Sequence, residues 1–154
     1  MKRMRRGSMD DFWKYLLTGT IAWVVVDFST AFNPDVRRWI SHMPLIWAFY
    51  IGYPLLFAFL IYVRRWSDRK ITYAMLVSAF VIEVVLSDNA LLYTFPIMLV
   101  MNPVAVAIYG VVTFIPKWLV EGEIRKRTKT TVLLLAVWVV VSILNYITNV
   151  NLST

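Results

Sequence analysis

The sequence predicts an all-α integral membrane protein, a single domain covering residues 1–154 and built as a bundle of five transmembrane helices. Hydrophobic residues make up 60% of the 154 residues and charged residues only 16%. The mean hydropathy of +0.66 is far above that of an ordinary soluble domain. Five spans of about 20 residues each, joined by short loops, use nearly the whole length. Too few residues then remain for a soluble catalytic or binding domain, so any chemistry must lie in or beside the bilayer.

Apolar runs define the individual spans. The first run is interrupted by Asp27, the second is nearly uninterrupted, the third is shorter and contains Glu83, and the last is rich in Val and Leu. The fourth is longer and contains Pro96 and Asn102-Pro103, so its pattern fits either one kinked helix or two half-crossings. The predicted spans cover about residues 12–32, 44–63, 71–87, 90–120 and 131–148.

The basic residues decide how often the fourth segment crosses. A single crossing places every basic residue except Arg37 and Arg38 on one side of the membrane, as the positive-inside rule requires, whereas an even number of crossings breaks that pattern. We therefore predict one crossing, kinked near Asn102-Pro103, with the amino terminus cytoplasmic and the carboxy terminus outside the cell membrane. The predicted cytoplasmic residues are Lys2, Arg3, Arg5, Arg6, Lys14, Arg64, Arg65, Arg69, Lys70, Lys117, Arg125, Lys126, Arg127 and Lys129.

Polar residues within the spans form the candidate site. Counted from the basic residue flanking each span, five of them lie at a similar depth, about 20–24 Å into a hydrocarbon core roughly 30 Å thick. A carboxylate near mid-depth costs about 2.5–3.5 kcal/mol on insertion scales, so Asp27 and Glu83 should face the bundle interior. Facing each other in a poorly hydrated pocket, they are expected to hold a shared proton. The candidate ligand or proton site comprises Asp27, Tyr50, Glu83, Asn102 and Asn145.

A structural interpretation of these residues stays open. The two carboxylates can be held by hydrogen bonds from neighbouring spans, or paired with Arg37 and Arg38 as charge partners folding back from the first outer loop. Asn102 can bind the carbonyl group freed by the kink at Pro103. Asn145 can join two helices by hydrogen bonds. In each case the side chain stabilises the bundle and carries no chemistry.

Composition and missing motifs exclude several kinds of site. The chain has no Cys, which removes disulfides, thiolate nucleophiles, Cys-ligated metals and iron–sulfur clusters. The single His42 excludes haem held by two His residues, and no zinc-protease, serine-hydrolase or ATP-binding motif is present. No metal and no cofactor are therefore expected. The net charge of +7 lies in short loops beside the spans, so we expect membrane lipids as partners, with anionic lipid at the cytoplasmic loops, and no nucleic acid.

Three functions remain compatible with the sequence. The compact chain, the odd number of spans and the lack of catalytic motifs favour a small non-catalytic membrane subunit or scaffold, working as a homo-oligomer or within a larger membrane complex. A proton- or cation-coupled transporter or channel component would use Asp27 and Glu83 as ligands. A lipid-modifying enzyme would use one carboxyl group as acid and the other as base. We favour the first function and leave the other two as alternatives.

Overall fold

The computed structural model describes residues 9–152, and within that range the chain is helical and has no strand. The five long helices are α1 Met9–Asp27, α2 Val36–Ala58, α3 Asp68–Phe80, α4 Met98–Glu121 and α5 Thr128–Leu152. Wider π-helical turns continue the first three helices through Phe28–Phe32, Phe59–Val63 and Val81–Leu86, and 3-10 turns occupy Ala90–Leu92 and Ile124–Arg127. The predicted all-α class is confirmed. Lys2, Arg3, Arg5 and Arg6, which entered the orientation argument, lie outside the described residues.

Four helical segments are long and apolar enough to cross a membrane. They are Met9–Phe32, Val36–Val63, Met98–Glu121 and Ile124–Asn151. The α3 segment is not among them, because it contains too many charged residues for its length. These are Asp68, Arg69, Lys70 and Glu83. Length and composition thus support a membrane protein with four of the five predicted spans, and the crossing by α3 stays a prediction.

Two helices begin at positions that differ from the predicted ones. The second helix begins at Val36 rather than near residue 44, because the Asp35 side chain accepts a hydrogen bond from the Arg38 amide at 2.8 Å and caps the helix. The fourth begins at Met98 rather than near residue 90. The residues before it form a 3-10 turn at Ala90–Leu92, which begins where the Asn89 side chain accepts a hydrogen bond from the Leu91 amide at 3.3 Å. Pro96 follows this turn and has no amide hydrogen to donate to it.

The centre of the bundle is formed by α1 and α4. Helix α1 packs against α2 and α4, its π-helical turn packs against α5, and α4 also packs against α3 and α5. A Cβ atom placed on Gly19 of α1 would lie 3.1 Å from the Cβ atom of Pro54 in α2, so the glycine permits a close helix contact. The largest fully buried side chains are Tyr15, Pro54, Phe57, Ile71, Val112 and Thr113.

The outward surface of the helices is apolar. Leu17 is 63% exposed, Leu45 is 74% exposed and Leu133 is 62% exposed. Soluble proteins rarely expose large contiguous apolar patches, because water disfavours them. This surface is typical of a bundle surrounded by lipid.

Candidate functional site

Asp27 and Tyr50 join α1 to α2. The Oδ2 atom of Asp27 accepts a hydrogen bond from the Tyr50 hydroxyl group at 2.6 Å. That hydroxyl group in turn accepts a hydrogen bond from the indole Nε1 of Trp39 at 3.0 Å. Tyr50 is only 4% exposed, so the Asp27 carboxylate receives its hydrogen bond from a buried donor on the neighbouring helix.

Glu83 joins α3 to α4 in the same manner. It lies in the π-helical turn at the end of α3, where its Oε1 accepts a hydrogen bond from the Tyr109 hydroxyl group at 3.0 Å. Its Oε2 accepts a second hydrogen bond from the Asn89 side chain at 3.1 Å. Both oxygens of this carboxylate therefore have donors within the chain.

The two carboxylates are near neighbours without a direct bond. Asp27 and Glu83 lie within electrostatic range of each other, and Tyr109 interacts electrostatically with both. The Trp23 ring, one turn before Asp27 on α1, packs edge-on against Tyr109 with the ring centroids 5.5 Å apart. No hydrogen bond joins Asp27 to Glu83 in the described part of the chain, and the shared proton stays a prediction. We call Asp27, Tyr50, Glu83 and Tyr109 the carboxylate layer.

Three asparagines fasten α5 to the turn between α1 and α2. The backbone carbonyl of Asn33 accepts a hydrogen bond from the Asn149 side chain at 2.9 Å and a longer one from the Asn145 side chain at 3.3 Å. The Asn145 amide also lies 3.4 Å from the carbonyl of Ser29. Asn145 thus joins two helices, as its structural interpretation predicts, and we call Asn33, Asn145 and Asn149 the asparagine clasp.

The other predicted site residues lie apart from the carboxylate layer. The Asn102 side chain is exposed and makes no hydrogen bond to the described residues. Arg37 and Arg38 are also exposed, and within residues 9–152 neither forms an ion pair with Asp27 or Glu83. They belong to the first turn of α2, because the helix begins at Val36, and so they do not fold back as a free loop would.

A shallow cavity of about 280 Å³ lies beside the asparagine clasp, along the seam between α1 and α5. Both serine hydroxyl groups that line it are used within the chain: the Ser29 hydroxyl accepts a hydrogen bond from the Trp138 indole at 2.8 Å, and the Ser142 hydroxyl donates to the Trp138 carbonyl at 2.9 Å. The lining residues are Ser29, Asn33, Trp138, Val139, Ser142, Ile143 and Tyr146. The remaining surface of the cavity is apolar.

A second polar group, which the sequence did not predict, lies near the carboxyl end of α4. The Lys117 ammonium group is 2.6 Å from Glu121 and 3.0 Å from Asp68 of α3, and the Lys117 side chain is only 8% exposed. Asp68 also pairs with Arg127 at 2.9 Å. We call Lys117, Asp68, Glu121 and Arg127 the lysine cluster. It holds α3 and the α4–α5 turn to α4.

The contacts of Tyr109 and Lys117 were not predicted from the sequence, for a geometric reason. Tyr109 precedes Lys117 by eight positions, which is about 12 Å of helix, whereas Glu83 lies about 20 Å beyond its flanking Lys70. Counting residues along each helix separately therefore places Tyr109 and Glu83 at different depths, although their long side chains meet. A usable signal for the lysine cluster was Asp68, an acidic residue within a basic turn, together with Glu121 four residues after Lys117.

No protein-family model, curated protein or solved structure matches the chain. The described residues contain no group of three or more His, Asp or Glu side chains arranged to hold a metal ion. The carboxylate layer instead offers two oxygen-rich groups, each held by a tyrosine that donates its proton in a hydrogen bond. Such an arrangement can fix helix positions, and its carboxylates can also accept a proton or a cation.

Proposed function

We propose that the protein is a small non-catalytic integral membrane subunit or scaffold. The observation that carries this proposal is where the intramembrane polar groups direct their hydrogen bonds. Asp27 binds α2 through Tyr50, Glu83 binds α4 through Tyr109, and Asn145 binds the end of the α1 segment at Ser29. Each bond joins two different helical segments, which is the work expected of polar residues that stabilise a membrane bundle.

The proposed topology has five crossings, a cytoplasmic amino terminus and an outer carboxy terminus in the cell membrane, with α4 kinked near Asn102-Pro103. The lysine cluster supports the crossing by α3, because Asp68 reaches Lys117 at the end of α4 while Glu83 reaches Tyr109 further along the same helix. Two polar contacts at different levels of α4 let a helix of low hydropathy lie along an apolar one. Polar groups paired within the bundle cost less in lipid than unpaired ones.

A role as a subunit is supported by the exposure of α5. In the most apolar stretch of that segment only 6% of the residues are buried, compared with 44% in α2. Helix α5 is therefore attached along one side and presents the other side to lipid or to another chain. We propose a homo-oligomer or a larger membrane complex, with lipids around it and anionic lipid at the cytoplasmic turns.

Photo-crosslinking from the membrane tests the subunit proposal. A photoreactive residue placed at Leu133 or Leu144, which are 62% and 58% exposed, should form one discrete adduct with a second copy or with another polypeptide. The matched control is Val77 on α3, which is 64% exposed and should react with lipid alone. Lipid adducts alone at the α5 positions would contradict the proposal.

A second candidate function, proton or cation movement, is favoured by the presence of two carboxylates, Asp27 and Glu83, within electrostatic range of each other. The variants Asp27→Asn and Glu83→Gln discriminate the two functions, because an amide still accepts the tyrosine hydrogen bond but does not titrate. If the carboxylate layer is purely structural, both variants should fold. Proteoliposomes that hold the wild type should then lose an imposed pH gradient no faster than empty vesicles. Faster loss with the wild type, abolished in the double variant, would favour the second candidate.

A further inference from the structure

Two turns at the lysine-cluster end of the bundle carry basic residues, and they differ in how their charges are balanced. In the α4–α5 turn, two of the four cations are paired, Lys126 with Glu123 at 3.2 Å and Arg127 with Asp68 at 2.9 Å. The other two, Arg125 and Lys129, form no ion pair with the residues that the structure describes. In the α2–α3 turn, taken as residues 64–70 so that it includes the first residues of α3, four exposed cations form no ion pair with any described residue. They are Arg64, Arg65, Arg69 and Lys70.

The acidic residue of the α2–α3 turn does not balance these cations. Asp68 directs one carboxylate oxygen to Lys117 and the other to Arg127, both outside the turn. Its charge is therefore already opposed by α4 and the turn that follows α4. The α2–α3 turn therefore keeps a positive charge that no residue between 9 and 152 balances with an ion pair.

Arg65 occupies a backbone conformation that disfavours an arginine. Its φ angle is +53°, in the left-handed region, and the turn it forms ends the α2 segment with a hydrogen bond from the Trp66 amide to the Leu60 carbonyl at 3.0 Å. At the end of α4 the left-handed position is filled by Gly122, with a φ angle of +68°. Glycine is the usual residue at such helix ends because it has no Cβ atom. An arginine there supplies a charge that the turn itself does not need.

Aromatic residues flank the same turn. Tyr73 is 56% exposed, and the Arg69 guanidinium group lies 5.8 Å from the centre of its ring. Trp13, near the start of α1, is also exposed, at 58%. Exposed Trp and Tyr side chains are typical of the headgroup level of a bilayer. The four cations therefore lie where lipid phosphates are.

We propose that Arg64, Arg65, Arg69 and Lys70 form a binding surface for the phosphate groups of anionic phospholipids. The proposal rests on the proposed function for its membrane setting, and it selects the α2–α3 turn over the α4–α5 turn as the lipid contact. Guanidinium groups bind phosphate through paired N–H donors, and a negatively charged leaflet adds an attraction that falls with ionic strength.

Thermal melting of the full chain in a neutral detergent tests this surface. Added phosphatidylglycerol should raise the Tm in a saturable manner, and phosphatidylcholine at the same concentrations should not. The variant Arg64→Gln/Arg65→Gln should weaken the apparent affinity for phosphatidylglycerol roughly 30-fold, at about a fivefold loss for each cation removed. The matched control Arg125→Gln/Lys129→Gln changes two exposed cations of the other turn and should keep most of the response. The variant Arg64→Lys/Arg65→Lys keeps both charges and should retain much of it too.

Each other outcome overturns the proposal. Equal losses in the two glutamine variants would mean that general positive charge, and not this turn, attracts the lipid. An equal Tm rise with inorganic phosphate would identify free phosphate rather than a lipid headgroup as the ligand. No difference between the two lipids in the wild type would refute the surface itself. Because micelles impose no sidedness and the readout needs no partner chain, these outcomes are independent of the tests of topology and of assembly.

Discussion

At the residue scale, the Tyr50 hydroxyl group takes part in two hydrogen bonds, one of them within the carboxylate layer. It donates to Asp27 at 2.6 Å and accepts from Trp39 at 3.0 Å. We predict that Tyr50→Phe lowers the free energy of unfolding by about 1–3 kcal/mol, because a half-buried carboxylate and an indole N–H both lose a partner. Unfolding in detergent, followed by circular dichroism, measures the change.

Tyr146→Phe is the control for this substitution. Tyr146 is 46% exposed and forms no side-chain hydrogen bond to the described residues, so removal of its hydroxyl should change the free energy of unfolding by less than about 0.5 kcal/mol. Equal effects of the two substitutions would mean that the Asp27–Tyr50 bond contributes nothing specific. The structural role assigned to the carboxylate layer would then lose its main support.

At the element scale, the contact between α1 and α2 depends on Gly19. We predict that Gly19→Ala lowers the free energy of unfolding by about 1–2 kcal/mol, because the new methyl group meets the rigid and buried ring of Pro54 at 3.1 Å. Gly52→Ala is the control on α2. A Cβ atom there meets nothing within 4 Å, so this substitution should stabilise the helix by about 0.5–1 kcal/mol. Denaturant titration of both variants checks the opposite signs, and two changes of the same sign would refute the close contact.

The attachment of α3 to α4 depends on Lys117. Lys117→Met leaves Glu121 without its partner and Asp68 with Arg127 alone, so we predict a loss of about 1–3 kcal/mol, reduced because both acids are partly exposed. Since the chain has no Cys, a Ser87→Cys variant carries one thiol beside the end of α3, and its labelling should become faster when Lys117 is replaced.

Lys126→Met is the matched control for Lys117. The Lys126 side chain is 65% exposed and its pair with Glu123 is a surface pair, so we expect a change below about 1 kcal/mol and no change in labelling. Identical labelling rates in the two methionine variants would show that the lysine cluster does not hold α3.

The sequence predicted helices better than it predicted the contacts between them. Helical class and four spans follow from apolar runs, and an overlooked cap at Asp35 accounts for the early start of α2. The candidate residues Asp27 and Tyr50 do meet. The partner of Glu83, Tyr109, was not predictable, because depth along a single helix does not give tilt or side-chain reach. Packing among all the helices decides which polar groups pair, and the periodicity of a single segment does not predict these pairs.

At the scale of the whole molecule, the proposed orientation makes a direct prediction. A reporter that is active only outside the cell should be active when fused after Thr154 or inserted between Ser87 and Asn89, and inactive after Lys70 or Lys129. Four crossings, with α3 remaining on the cytoplasmic side, would instead give activity after Lys129 and none after Thr154. That pattern would refute the fifth crossing.

The asparagine clasp has a consequence for the time that passes between the synthesis of its two parts on the ribosome. Asn33 and Asn149 are 116 residues apart. At a synthesis rate of about 5–20 residues per second, the Asn33 carbonyl exists for roughly 6–23 s before its partner has been made. During that interval a carbonyl group without a hydrogen-bond donor would raise the free energy of the chain in hydrocarbon. The α1–α2 turn must therefore stay where water or lipid headgroups can bind it. Helix α5, made after α1 and α2, then closes a site that those two helices have kept at the membrane surface.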